Sequence, residues 1–331
     1  MVDHGSVGTS ELRAMQQLAQ VVWTADPGRI NTGASVGELA WSWDAGSVLH
    51  ATEWRHRLWF DGDRTAAWGW ISAAEMIRVA DDRWALSATS LVWQVHPDHP
   101  ELLDEVLEWF DDEAGGANRC TTARAADRGA IERLGRHGYL LDPGAPWSQL
   151  NRRPLRELEA PVLPAGFWLR TAAEVAPAAA VAVERAAWHP SQFTLESLLN
   201  VRSTWPYRDD LAVFVEAPDG TLVASALVWY DEINRTAELE PVGTDPGYRR
   251  LGLGRAVSVF GSHQARAIGA TDAIVSCRGD ENYPVPRRLY GSIGFGELTR
   301  DVVFAKEPSF GTLDLPRRVD VLHDDRCHAR E

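Results

Sequence analysis

Between Arg249 and Arg255 the sequence reads Arg-Arg-Leu-Gly-Leu-Gly-Arg, placing three guanidinium groups and two glycines directly before an amphipathic run. Val257, Phe260, Ala267 and Ile268 recur at helical spacing in that run, so a helix is expected to begin near Gly254. Its first amide N–H groups have no partner within the helix, and the helix dipole is positive there. Gly252 and Gly254 remove Cβ atoms, and Arg249, Arg250 and Arg255 add charge with no acid close by in sequence. Such a loop suits a pyrophosphate. Upstream, Glu238 and Glu240 lie two apart on a strand-like run and so share one face, where either could take a proton from an ammonium group.

Three phosphate-binding patterns can be compared with this loop. A Walker loop needs a lysine after its last glycine, and Leu253 follows Gly252. A dinucleotide fingerprint needs a third glycine where Val257 stands. The remaining pattern, Arg-x-x-Gly-x-Gly between a strand and a helix, resembles motif A of the GNAT acyltransferase superfamily. Downstream, Asn282 and then Leu289-Tyr290-x-x-x-Gly294-Phe295 are similar to that family's motif B, with Pro284 and Pro286 interposed and the interval one residue longer than usual.

The resemblance implies acetyl-CoA as co-substrate, held by Arg249, Arg250, Leu251, Gly252, Leu253, Gly254 and Arg255 and aided by Asn282. It implies that the pantetheine arm adds along a splayed strand at Val242, Gly243 and Thr244. Pro241 has no N–H to donate and should loosen pairing there. It further implies a general base, for which Glu238 is preferred over Glu240, and Tyr290 as the acid for the departing thiolate. The acceptor pocket of the family lies between the first two helices and the central strands, which directs attention to Trp188, His189, Trp205, Trp229, Tyr230 and Asp231. Arg287 and Arg288 are candidates for the adenosine phosphates.

The elements that must position these groups are legible as punctuation. Leu211 to Glu216, the turn Pro218-Asp219-Gly220 and Leu222 to Tyr230 read as a hairpin. Arg57 to Phe60, the turn Asp61-Gly62-Asp63 and Ala66 to Ile71 repeat it in the first half. Asp61 and Asp219 lie 158 positions apart, and Gly138 and Gly294, in matching Gly-aromatic pairs, lie 156 apart, which suggests an internal duplication. Thr171 to Glu174 reads as a capping box for a helix from Ala172 to Ala187, and Thr194 as the cap of a second. The order of elements predicts a mixed α/β fold of two tandem GNAT-like domains, each a sheet flanked by helices. Their expected extents are 1–150 and 167–310, joined by a proline-rich connector at 151–166 and followed by a tail at 311–331.

In the first half, His96 to Asp104 occupies the place of the loop but has no glycine pair and carries acids. That half is expected to be a degenerate repeat that does not hold CoA in the same way. One active repeat beside one inactive one resembles tandem actinobacterial acetyltransferases such as mycothiol synthase.

Composition narrows the alternatives. With 45% hydrophobic and 24% charged residues the chain can build packed cores. A formal net charge of −14 argues against a nucleic-acid binder and suits a cationic acceptor. Lys306 is the only lysine, which disfavours Schiff-base chemistry, and Cys120, Cys277 and Cys327 form no disulfide or zinc pattern. No signal peptide or membrane span is expected, so the reading is a cytoplasmic protein, monomer or homodimer, without a metal. The tail His323 to His328 has metal-ligand residue types but reads as a polar terminus. The expected function is N-acetylation of a small-molecule primary amine by direct attack on acetyl-CoA. Mycothiol-synthase-like or antibiotic-type acetylation is the alternative acceptor reading, and an acyl-CoA sensor or scaffold the alternative without catalysis.

Overall fold

A computed structural model describes residues 9–50, 54–74, 76–78, 84–281 and 283–307. The first half runs α1 (Thr9–Ala25), α2 (Val36–His50), β1 (Arg55–Asp61), β2 (Arg64–Ser72), β3 (Met76–Arg78), β4 (Trp84–Leu86), β5 (Thr89–Val95), α3 (Leu102–Ala114), β6 (Arg119–Arg124), α4 (Arg128–Arg136), β7 (Leu140–Leu141) and β8 (Ser148–Pro154). The second runs β9 (Trp168–Thr171), α5 (Pro177–Ala187), α6 (Leu195–Ser203), β10 (Ala212–Glu216), β11 (Leu222–Asp231), β12 (Thr236–Thr244), α7 (Leu253–Ala267), β13 (Asp272–Arg278), α8 (Val285–Ser292) and β14 (Gly296–Lys306). Apart from β9, the β3–β4 ribbon and the short β7, the halves repeat the same order of elements. Both sequence-predicted turns close hairpins, with Gly62 at φ 61° and Gly220 at φ 85°, a conformation that suits glycine.

One mixed sheet unites the halves in the order β1-β2-β5-β6-β14-β8-β13-β12-β11-β10-β9. The middle of that order is exchanged. Strand β14, last in the second half, pairs with β6 of the first, and β8, last in the first half, pairs with β13 of the second. The connector expected from Asn151 therefore begins later: Asn151 to Pro154 are ladder residues opposite Asp272 to Val275. Alternation explains the preference for a strand, since Leu150 is buried at 2% exposure between polar neighbours that hydrogen-bond within the sheet.

Helix α7 covers one face of β10 to β12 through an apolar cluster including Leu253, Val257, Val213 and Val228. Gly261 permits this approach, because a Cβ there would lie 2.7 Å from Val228. The buried stripe is Leu253, Ala256, Val257, Gly261 and Ala265; Ala267, expected on it, is exposed because the helix ends there. The opposite face carries α5, α6 and also α2 from the first half, joined through Ala40, Val183, Val201 and Trp229. Helix α5 starts at Pro177 rather than Ala172, since proline favours the first helical position. Glu174 still folds back onto the Thr171 N–H at 2.8 Å, so the box closes a turn one step before the helix. Among the described residues no helix is long and apolar enough to cross a membrane.

Candidate active site

Parallel pairing of β12 with β13 covers only Thr236, Ala237 and Glu238 against Asp272, Ala273 and Ile274. Beyond Glu238 the two strands part. On its other edge β12 stays paired to β11 through Val242, Gly243 and Thr244, but the register shifts around Glu240 and Pro241. Proline cannot donate to the ladder, which accounts for the shift. The edge of Val242 to Thr244 turned toward β13 is thus left outside the sheet ladder.

The glycine and arginine loop stands beside this opening. Asp245 accepts from the Gly247 N–H at 2.7 Å and starts a tight turn, Arg250 takes a left-handed φ of 68°, and Gly252 follows at φ 81° as the N-cap of α7. No side chain caps that helix, no acid lies in its first turn, and a Cβ on Gly252 would meet nothing within 4 Å. Gly254 packs under the strand end, where a Cβ on it would lie 3.3 Å from Thr244 Oγ1 and 3.6 Å from Leu289. Leu253 is buried while Leu251 and Arg250 are exposed, so the loop shows its backbone and one guanidinium outward. Arg249 Nε reaches the Thr244 carbonyl at 3.5 Å. Arg255 departs from the expectation of a cation without a nearby acid: it pairs with Glu159 at 3.2 Å and donates to the Ser292 carbonyl. Arg287 likewise faces Glu281 at 2.7 Å and the Gly279 carbonyl. Asn282 lies outside the described residues.

Glu238 and Glu240 share a face, as alternation requires, and each is only 5% exposed. Their environments differ. Both Glu238 oxygens are engaged by the first half, one by Ser35 Oγ at 2.5 Å and the other by the Gly37 N–H at 2.8 Å at the start of α2. Burial pushes its pKa up to about 7. Glu240 Oε1 has no hydrogen-bond partner among the described residues. Burial, then the charges of Glu38, Glu238 and Glu184, hold its pKa well above the usual carboxylate range. Glu238, the preferred base in the sequence reading, is therefore committed to a contact between the halves, and Glu240 is the carboxyl with an oxygen unclaimed. Tyr290 is 5% exposed on α8, set edge-on to Phe295 at 5.9 Å; burial and then Glu240 raise its pKa.

The aromatic candidates separate. Trp188 ends α5 against β12, where a Cβ on Gly243 would lie 3.1 Å from its Nε1, and that indole N–H has no partner among the described residues. Trp229 is 1% exposed and donates to the Glu240 carbonyl at 2.6 Å, so it supports the strand, and it also lines a small cavity with Ser35, Gly37 and Glu238. Tyr230 is one residue along and so points to the α7 face, its hydroxyl near Gly269; it does not share a pocket with Trp229. His189 is exposed on the loop after α5. Trp205 lies under the Arg13 guanidinium at 3.4 Å, and Asp231 accepts from Gln20 Nε2 at 2.7 Å, so both serve the contact between halves.

Glu184 escaped the sequence reading. It lines the cleft between α5, α6 and the sheet, 8% exposed, and burial pushes its pKa up to about 8. A signal was present: Ala180, Val183, Glu184 and Ala187 recur at the spacing of a buried helical stripe, so a carboxylate on that stripe must be buried.

In the first half the corresponding opening is filled. Strands β5 and β6 pair in parallel only from Thr89 to Leu91 against Arg119 to Thr121. Past that point Asn31 Nδ2 donates to the Trp93 carbonyl at 3.3 Å and the Thr122 carbonyl at 3.2 Å, and Trp93 Nε1 also reaches Thr122 O at 3.1 Å.

The model of the Acetyltransferase (GNAT) family matches residues 180–295, the stretch from α5 to the end of α8 that frames this site. The matched stretch lies wholly within the second half. Mycothiol acetyltransferase of Thermomonospora curvata is 34% identical over 124 residues, 36% of this chain and 40% of that protein. Mycothiol acetyltransferase of Kineococcus radiotolerans is 36% identical over 161 residues, 46% of this chain and 50% of that protein. The match thus spans about half the length of these curated relatives or less. A tandem GNAT protein from the clavulanic acid biosynthesis pathway superposes with a TM-score of 0.59 at 13% identity, over 92% of this chain and 98% of that one, which shows the fold of both halves. The stretch that matches the GNAT model is joined here to a first half of like design.

Proposed function

We propose that the chain is an N-acetyltransferase that moves an acetyl group from acetyl-CoA to a primary amine of a small molecule. The observation that carries this reading is the uncapped, glycine-started α7 opening beside a splayed β12 within the stretch that matches the GNAT family. The residues present fit such a group: the α7 amides and Arg250 suit a pyrophosphate, the open edge of Val242 to Thr244 suits an amide-bearing arm, and the unpartnered Trp188 N–H beside Gly243 suits a carbonyl oxygen. Bound there, acetyl-CoA supplies an activated acetyl carbon.

Glu240 takes the proton that makes an ammonium a nucleophilic amine, directly or through one water. In the transfer a C–N bond forms and the C–S bond breaks; the nitrogen gives up its second proton through Glu240 to solvent as it becomes an amide, and Tyr290 gives the thiolate its proton and recovers one from solvent. Glu238 braces the strand from the first half. Burial raises the pKa of Glu240 above the usual carboxylate range, the direction that strengthens a carboxylate as a base.

A second acceptor reading has its own support. The two relatives at 34% and 36% identity are named mycothiol acetyltransferases, so mycothiol-type acetylation belongs in the same assay. Thiol release from acetyl-CoA against a panel of amines, including the acceptor of those relatives, tests the proposal. Amine-dependent release supports it, and tight acetyl-CoA binding with no amine-dependent release would point to a sensor.

A further inference from the structure

On the face of the sheet that α7 leaves uncovered, α5 and α6 stand away from β10 and β11 and border a cleft open to solvent, whose empty space of about 540 Å³ includes part of that solvent. The walls are apolar: Phe214 and Leu227 from the sheet, Ala180 from α5 and Val201 from α6. At the mouth Phe193 stacks on Trp41 at 5.4 Å, and Trp41 comes from α2, so the first half completes the cleft. At the inner end stands Pro241, next to Glu240 and to the open strand edge.

Two charged side chains reach the cleft, and they are not equivalent. Arg202 is neutralised by both oxygens of Asp209 at 2.8 and 3.0 Å. Glu184 receives one long hydrogen bond from Ser225 Oγ at 3.4 Å, and its charge is one of those that raise the pKa of Glu240. A buried carboxyl of this kind ionises favourably when a cation is placed against it. Ser225 itself pairs with Gly243 across the ladder, so Glu184 stands between the apolar cleft and the reacting edge.

We propose that this cleft takes the acceptor, and that the acceptor is a primary amine carried on an apolar aromatic body, its ammonium group drawn to Glu184. This deepens the acetyl-transfer reading and rests on it. A hydroxyl-rich amine would lose water against walls that return few hydrogen bonds, whereas a flat ring would be received between Trp41, Phe193 and Phe214. Glu184 acts here as a specificity residue that orients the amine toward Glu240.

The test uses the full chain with 2-phenylethylamine, its uncharged analogue 2-phenylethanol, and glucosamine as a polar amine. Each is titrated calorimetrically in the presence of CoA, and both amines are assayed for thiol release from acetyl-CoA. Expected is a kcat/KM for 2-phenylethylamine about 100-fold above that for glucosamine, in the range a pocket of mismatched polarity gives. Saturable binding of 2-phenylethylamine should exceed that of 2-phenylethanol. Glu184→Gln should raise the KM for 2-phenylethylamine about tenfold or more while leaving acetyl-CoA affinity and thermal midpoint near wild type. Trp41→Ala, farther from the chemistry, should raise the same KM. Equal or better use of glucosamine, or an unchanged KM in both variants, would overturn the proposal while leaving acetyl transfer intact. Binding of 2-phenylethylamine that depends on Glu184, with no transfer to either amine or any other, would sustain the cleft and overturn the transfer reading instead.

Discussion

The two halves carry the same frame, a strand and its parallel neighbour that part after three paired residues, with a helix starting beside the gap. What fills the frame differs. In the first half Asn31 and Trp93 bridge the parted strands from inside the protein, and α3 starts at Glu101 with Asp104 and Glu105 in its first turn. Those acids already satisfy the positive end of the helix. In the second half α7 starts at Gly252 with neither cap nor acid, and the gap faces Glu240 and Tyr290. One frame has become a closed joint and the other a slot, and about six side chains account for the difference. The first half has kept its helices for a second use: Ser35 and Gly37 hold Glu238, and Trp41 walls the cleft.

The comparison is broken most severely at Glu240. Glu240→Gln should lower kcat by about 10² to 10³, within the usual span for a general base, with little change in acetyl-CoA affinity. Glu238→Gln should cost less than about tenfold in kcat and show instead as a lower melting temperature, because it loosens the grip of α2. The reverse ranking in steady-state kinetics would return the base to Glu238. Tyr290→Phe should lower kcat by about ten- to a hundredfold, and an unchanged value would remove the phenol from the mechanism.

Smaller effects test the closed joint. Asn31→Ala removes a carboxamide that bridges two buried carbonyls and should cost about 1–3 kcal/mol in denaturant unfolding, without creating a second CoA site. A gain of CoA binding would mean that the plug alone separates the halves.

The smallest effect is on pH. Glu184 and Glu238 have folded pKa values of about 8 and about 7, above the unfolded carboxylate value of about 4.3. The folded state therefore binds more protons between those limits. Their contribution is fully present below about pH 4.3 and is lost as pH rises through 7 to 8. Thermal melts should fall by about 5 °C between pH 6 and 9, and Glu184→Gln should flatten that fall. A melting temperature that rises over this range would contradict the burial of these groups.

Much of this was legible in the sequence because it is local. The hairpin turns at Gly62 and Gly220, the Thr194 cap, the loop and the shared face of Glu238 and Glu240 each depend on neighbours a few residues away. The exchange of β8 and β14 was not, since Asn151 pairs with Val275 and Val302 with Ala123, partners that no local period specifies. The same distance hid the fate of Glu238, whose partners Ser35 and Gly37 lie about two hundred positions away. Arg255 read as an uncompensated cation because Glu159 belongs to the connector laid over α7. Glu184 was legible and overlooked: its place on an alanine and valine stripe marked it as buried.

The claim that one half is a slot and the other a joint meets its most direct test in a calorimetric titration of the full chain with CoA. One site per chain is expected, lost in Gly252→Asp, which puts a negative side chain where the α7 amides open; the left-handed φ of 81° should lower that variant's melting temperature by only about a few degrees, leaving it folded at the titration temperature. Two sites per chain, or wild-type affinity in Gly252→Asp, would contradict it.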